Sequence, residues 1–470
     1  MVVGRIADAV TGAVTGTMGG LAAGIGDAFE PSVRLGVTGL SRAGKTVFIT
    51  SLVANLIDRG RMPGLKAGPR IEAAFLQPQP DDTVPRFDYE ANLAALTGPA
   101  PRWPEGTRHV SQLRLSFRVR PTGLLAGVQR ARTVHLDIVD YPGEWLLDLG
   151  LIPLDYAEWS ERALARLRRW DARTYLDMLG GLDPAARHDE ATAQRLAGAY
   201  TEALRGARAA GAYDLTPGRF LMPGELMGSP ALTFAPLPPG AHPRGSLGRE
   251  AERRFEAYKR EVVRPFFRRH FARLDRQVVL MDVLGAIHGG PRALEEMRAA
   301  MADLLRAYNP GRTGWLLSLL GARRVDRVLF AATKADHLHH TQHARLTAVV
   351  EAMVRDARAR AEFAGARAEG LSLAALRATV EEMRPHQGRE LPCVRGRLLS
   401  TGREAAFYPG ELPADPAHLL TPAREGAEEW LDAEYEIMNF APAPLTLRPG
   451  EGPPHIRLDR AAEFLLGDRL

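Results

Sequence analysis

Cysteine is nearly absent: of 470 residues, only Cys393 carries a thiol. One thiol excludes an intrachain disulfide and a Cys-rich zinc site, and it suits a reducing compartment, so a cytoplasmic chain is expected. Lysine is scarce as well. Of 61 basic residues, only Lys45, Lys66, Lys259 and Lys334 are lysine, so each one is worth inspecting. The arginines that make up the rest are spread beside Asp and Glu, and the net charge is only +5. A nucleic-acid binder gathers its basic charge into a stripe, so no specific nucleic-acid partner is expected. Long apolar runs are missing too. The uncharged segment Ala9 to Gly26 has the length of a membrane span, but six of its 18 residues are Gly and three are Thr. It has no basic leader and no concentrated apolar stretch, so it is not read as a signal peptide. No internal repeat is visible.

What is present is an α/β pattern. At 45% hydrophobic and 25% charged residues, the composition rules out a disordered or collagen-like chain. Large residues at Ile6, Val10, Val14, Met18, Leu21, Ile25 and Phe29 fall on one helical stripe, which packs on its own domain or meets a membrane surface or partner. Val33 to Thr38 reads as a buried strand, followed by a helix from Val47 to Ile57. Residues 58 to 106 show little regular pattern. Leu113 to Val119 alternates strictly and reads as a half-exposed edge strand. Thr133 to Asp140 reads as a more buried one. Residues 151 to 270 are Ala-, Arg-, Glu- and Leu-rich and read as helical, interrupted by Pro and Gly from Pro217 to Arg244. Strand signals return at Gln277 to Leu284, Val325 to Thr333 and Arg397 to Ser400. A short last helix is expected at Arg460 to Leu466. This order predicts a P-loop core with a mainly parallel sheet, at 31–150 and 275–410. A mostly helical insertion at 151–274 interrupts it. An N-terminal amphipathic helix (1–30) and a C-terminal segment packing on the core (411–470) complete the chain.

The chemistry begins at Gly39-Leu-Ser41-Arg42-Ala43-Gly44-Lys45-Thr46, a full P-loop between a strand and a helix. Its glycines allow a tight turn with backbone N–H groups facing phosphate oxygens. Lys45 would reach the β- and γ-phosphates, the Thr46 hydroxyl would ligate Mg²⁺, and the helix opening at Val47 adds its dipole. Arg42 would contact phosphate or a partner, or lie on the surface. Asp140-Tyr-Pro-Gly143 ends the buried strand Thr133 to Asp140. Asp140 would hold Mg²⁺ through water, and the Gly143 N–H would sense the γ-phosphate. Asp282 ends another apolar strand and is a rival for the metal, ranked second because no D-x-x-G turn follows it. Glu144 stands where many GTPases carry a water-orienting glutamine. Its carboxylate would orient or deprotonate water, or repel the γ-phosphate.

Thr333-Lys334-Ala-Asp336 follows the strand Val325 to Ala332. In an [N/T]-K-x-D motif the carboxylate accepts from guanine N1 and N2 and the lysine stem lies over the base; adenine lacks that donor pair. Two of the four lysines thus fall in the two motifs that call for lysine. Ser400 and Thr401, after the strand signal at Arg397 to Ser400, would cap the base. Thr107 precedes the expected edge strand, where a switch threonine would ligate Mg²⁺. Each has an ordinary loop residue as its alternative.

The motif order resembles that of Ras-like GTPases. A closer resemblance covers nearly the whole chain. The strings VRLGVTGLSRAGKTVFITSLVANLI, WPEGTRHVSQLRLSFRVRP, DYPGEWLLDL, TPGRFLMPGELMGSPAL, DRQVVLMDVLGA, TKADHL and PHIRLDRAAEFLLGDRL are similar to the bacterial YcjX-like family. The resemblance implies a stress-associated, GTP-binding NTP hydrolase with a Ras-like core, linked to an inner-membrane partner. It departs from the family in the loop Leu399 to Arg403. The expected function is a Mg²⁺-dependent GTPase switch that binds GTP and GDP and turns over slowly, cytoplasmic or peripheral at the inner membrane. Two alternatives stay open. One is a nucleotide-binding interaction module with little hydrolysis; the other is an ATP-preferring P-loop ATPase or kinase.

Overall fold

The computed structural model describes residues 30–39, 43–107, 109–121, 130–170, 172–213, 215–306, 325–363, 365–430, 435 and 437–470. The N-terminal stripe expected within 1–30 lies almost wholly outside the described residues. Among those described, no helix is long and apolar enough to cross a membrane.

Seven strands form the central sheet: β1 (Ser32–Gly39), β2 (Ile71–Gln77), β3 (Ser111–Val119), β4 (Arg132–Asp140), β5 (Arg276–Met281), β6 (Arg327–Ala332) and β7 (Arg367–Ser372). Their order is β2-β3-β4-β1-β5-β6-β7. From β4 to β7 all neighbours are parallel, while β2 and β3 join antiparallel. Register then decides where the chemistry lies. Val37 pairs with Asp140, Gly39 with Leu280, Met281 with Ala332, and Ala332 with Ser372. The carboxyl ends of five parallel strands therefore finish in one row. The sheet order reverses at β1, and a crevice outside the strand ends at such a switch point is the usual ligand site of open α/β sheets.

Both faces of the sheet are covered. On one, Val33, Leu35 and Val37 pack with Leu136, Ile138, Leu280 and Leu329 against the helix Lys45–Ile57 and the last helix, Leu458–Leu466. Burying a leucine as fully as Leu52 or Leu465 stabilises by about 1.5–3 kcal/mol. The other face carries Val139, Tyr141, Val279 and Phe330. They belong to one apolar cluster with Trp159, Tyr200, Phe234 and Phe255 of the segment between β4 and β5. Trp159 and Phe255 stack at 4.8 Å. All regular elements described in this segment are helical, from Tyr156–Arg169 to Phe271–Arg273. Two stretches of its Pro- and Gly-rich interruption, 217–221 and 234–237, are buried against them. The hydroxyls of Tyr156, Ser160 and Tyr175 donate to the carbonyls of Ala235, Leu237 and Pro236.

Four expectations need correction. Strand β3 is not an edge: it lies between β2 and β4, and most of it is buried. Two of its polar residues have cross-strand partners, Arg114 pairing with Asp137 and Ser116 bonding His135 and Gln77. The stretch 58–106 is partly regular, containing β2 and the helix Tyr89–Thr97. The last strand of the main sheet is β7, whose sequence Arg-Ala-Glu-Gly-Leu-Ser has too few large apolar residues to stand out. Residues Arg397 to Ser400 belong elsewhere, at the end of a separate antiparallel sheet of β8 (Val380–His386), β9 (Arg389–Arg397) and β10 (Glu404–Phe407).

Candidate nucleotide site

The helix Lys45–Ile57 starts at Gly44, which holds φ +76°, a left-handed conformation that favours glycine. Gly39 is equally constrained, since a Cβ there would come 2.9 Å from Leu280 and 3.0 Å from Ala43. No side chain of the capping residue covers the helix start and no acidic residue sits in its first turn. Its amides and dipole therefore suit an anion. Lys45 Nζ donates to the Gly39 carbonyl at 3.0 Å, so the ammonium spans the loop. Ala43 is buried and Val47 half-buried. Ser41 and Arg42 lie outside the described residues.

Three oxygen ligands proposed from sequence come together beside this loop. Thr107 Oγ1 donates to Asp140 Oδ2 at 2.6 Å, and Thr46 Oγ1 donates to the Glu105 carbonyl at 3.3 Å. Asp140 is 2% exposed, and its Oδ1 is buried with no hydrogen-bond partner. Burial pushes its pKa up to about 6, against the opposing pull of Lys45, Thr107 and His109. An orphaned carboxylate oxygen, with a threonine hydroxyl on its sister oxygen and a second threonine hydroxyl at the loop, is a donor set of hard oxygens, the kind that suits Mg²⁺. The residues fit that ion.

At the other end of the row, Thr333 N–H donates to the Met281 carbonyl at 2.9 Å, tying the TKAD turn to β5. Lys334 takes φ +60°, and its Nζ donates to Asp282 at 2.5 Å. Asp282 is thus a partner of the base-end lysine and the cap of the helix Val283–His288. Asp336 is 4% exposed, with Oδ2 accepting from the Ala378 N–H at 2.8 Å. Its carbonyl accepts from Thr379 Oγ1. The loop after β7, Leu373 to Thr379, therefore closes this end. Sequence reasoning missed it because the weak pattern of β7 hid the strand that precedes it. Ser400 and Thr401 do not take that place. They lie in the turn joining β9 to β10, held by Leu398 N–H to the Arg403 carbonyl, Arg403 N–H to Thr401 Oγ1 and Leu399 N–H to the Asn439 carbonyl, with no bond to Asp336 among the described residues.

Comparison with known proteins gives the same order of motifs a family. The model of the "YcjX-like family, DUF463" matches residues 33–470. This chain belongs to the YcjX-like family. It is similar to the "Ras-like GTPase YcjX" of Escherichia coli (strain K12), 38% identical over 460 residues, covering 93% of this chain and 96% of the relative. The protein of the same name from Shewanella oneidensis (strain MR-1) is 36% identical over 468 residues, covering 93% and 94%.

In this YcjX-like chain the D-x-x-G turn is buried. Gly143 begins the short helix Gly143–Leu147, every residue of which is buried. Glu144 is ion-paired with Arg208 at 3.0 Å, on the helix Glu190–Ala209 between β4 and β5. Its carboxylate is engaged there rather than standing free. Chemically, the row of strand ends offers an anion-binding helix start with a lysine, a buried carboxylate with one unpartnered oxygen, and a second buried carboxylate near a lysine. Those are the parts needed to hold phosphates, a divalent cation and a base with paired donors.

Proposed function

We propose that the chain is a Mg²⁺-dependent GTP-binding hydrolase that acts as a slow molecular switch. The observation that carries this is the orphaned Asp140 Oδ1 beside Thr107 and Lys45. Lys45 and the loop amides hold the phosphates. Thr46, Thr107 and Asp140 would hold Mg²⁺, which supplies charge neutralisation at the phosphate oxygens. Gly143 follows the γ-phosphate, while Lys334 and Asp336 read guanine. The relatives' name, Ras-like GTPase, supports the same reading.

Slow turnover, with a role weighted towards interaction, is favoured by one contact. Glu144 is held by Arg208, so no free carboxylate follows Gly143 to position water. In the cell, such a switch would act in the cytoplasm or peripherally at the inner membrane, in a stress response.

The test is nucleotide release on denaturation of the purified chain, followed by turnover with and without Mg²⁺. GTP or GDP released, with hydrolysis that stops on chelation, is the expected result. Asp336→Asn should move preference towards xanthine nucleotides. Equal binding of GTP and ATP before and after that change would overturn the guanine assignment.

A further inference from the structure

Just beyond the TKAD turn, the chain runs His337-Leu-His339-His340. Two of these imidazoles meet a carboxylate from another element. His340 Nδ1 is 2.5 Å from Glu381 Oε2, and His339 Nε2 is 3.9 Å from the same oxygen. One ligand atom from each of the three lies within 4.8 Å of the others. Glu381 sits at the start of β8, while His339 caps and His340 opens the turn His340–Gln342. We propose that His339, His340 and Glu381 form a binding site for a divalent transition-metal ion, of the zinc type, separate from the Mg²⁺ ligands.

The surroundings favour a built site. His339 is 6% exposed, and its Nδ1 is bonded to the Thr341 hydroxyl at 3.1 Å, which fixes the ring with Nε2 towards Glu381. Glu381 Oε1 is held by Arg377 at 3.3 Å, leaving Oε2 for the histidines. Metal ligands are held in this way by outer partners that set ring orientation and charge. The two rings lie 4.3 Å apart, centroid to centroid. Zinc ligand bonds are about 2.0–2.2 Å, so His340 and Glu381 must part by about 1 Å to admit the ion. The His340 side chain is 65% exposed and has room to move.

Two neighbouring histidines face other groups. His343 Nε2 bonds the carbonyls of Ala335 and Leu338, and His337 packs edge-on against Phe440. Two imidazoles and a carboxylate suit zinc, cobalt or nickel and do not suit magnesium or calcium. Three protein ligands leave a fourth position for water on the exposed His340 side. The ion would fasten the turn after Asp336 to the strand after Thr379, two segments already joined by the Asp336 bonds to Ala378 and Thr379.

The experiment uses the full chain without a histidine tag, stripped with chelator and kept in saturating Mg²⁺. Zn²⁺ is titrated by calorimetry, and Co²⁺ by visible absorption. One site is expected, with a Co²⁺ spectrum of low-symmetry N/O coordination. His340→Ala and Glu381→Gln should each weaken Zn²⁺ binding by roughly 10- to 100-fold or more and remove that spectrum. Exposed His418→Ala should change neither. Zn²⁺ should raise the melting temperature of the parent chain but not of His340→Ala, a surface change that leaves the fold intact. Absence of a Zn²⁺ site in the parent, or wild-type binding by both His340→Ala and Glu381→Gln, would overturn the proposal.

Discussion

Glu144 and Arg208 are joined by an ion pair of 3.0 Å, with the Glu144 side chain only 6% exposed. The pair links the residue after the D-x-x-G turn to the helix Glu190–Ala209, which lies between β4 and β5. Other contacts run in parallel. Trp145 Nε1 donates to the Met222 carbonyl, and Arg219 stacks on the Trp145 ring at 3.2 Å. Gly218 sits so close that a Cβ there would come 2.1 Å from the Glu144 carbonyl oxygen. Any movement of Gly143 with the nucleotide must therefore be felt by the helical segment.

Removing Arg208 leaves a buried carboxylate short of its cation. Arg208→Ala should destabilise by about 1–3 kcal/mol, discounted because Arg208 is one-third exposed. Glu144→Gln should cost less, and the double change should be less harmful than the sum. A double-mutant cycle in urea measures the coupling. Strict additivity would show that the pair carries none.

Asp148 gives a pH dependence. It is 2% exposed, accepting from the Gly218 N–H at 2.7 Å and from the Tyr258 hydroxyl at 2.5 Å. Burial pushes its pKa up to about 7, partly offset by those bonds and by Arg219. The folded chain thus favours the protonated carboxyl more than the unfolded chain does. This contribution to stability is complete below 3.8, the ordinary value for an aspartate in the unfolded chain, and is lost as pH rises through about 7. Asp148→Asn keeps the neutral form at every pH. Its unfolding free energy should fall less than that of the parent between pH 4 and pH 7, measured by denaturant titration at each pH. Identical slopes would remove Asp148 as the cause.

Much of the core was legible because the strands that end in the row carry their own signals. Leu35 to Val37 and Val328 to Ala332 are short apolar runs, and each leads into a motif that requires lysine. The base-closing loop was not legible. β7 has Glu369 and Gly370 at its centre and passes for a turn, while the stronger signal at Arg397 stands in for it. The fate of Glu144 was hidden for another reason. Its partner lies far along the chain, on an amphipathic helix whose arginines look alike in sequence. Only the packing of that helix selects Arg208.

Lys45 should be indispensable for phosphate binding. Its Nζ already lies 3.0 Å from the Gly39 carbonyl, inside the loop, so the ammonium is preplaced. Lys45→Ala removes a charge-assisted contact worth about 1.5–3 kcal/mol, a loss of roughly 10- to 100-fold in GTP affinity. Lys45→Arg should not restore it, because a planar guanidinium replaces a compact ammonium in a tight loop. Titration with a fluorescent GTP analogue checks both. Full affinity in Lys45→Ala would remove the loop from the site.

The loop after β7 should matter at the base end, and the turn at Ser400 should not. Ala378 N–H is the donor to Asp336 Oδ2, and that bond is buried. Ala378→Pro deletes the donor and leaves the carboxylate oxygen without it, at about 1–3 kcal/mol. Asp336 would then be free to turn, so the preference for GTP over ATP should fall. The double change Ser400→Ala, Thr401→Ala removes only local hydroxyls in the β9–β10 turn and should leave that preference as it was. Competition binding with GTP, GDP and ATP reads the result, with melting temperature as the control for folding. Should the proline variant keep its selectivity while the alanine pair loses it, the base would be closed from the β9–β10 turn after all.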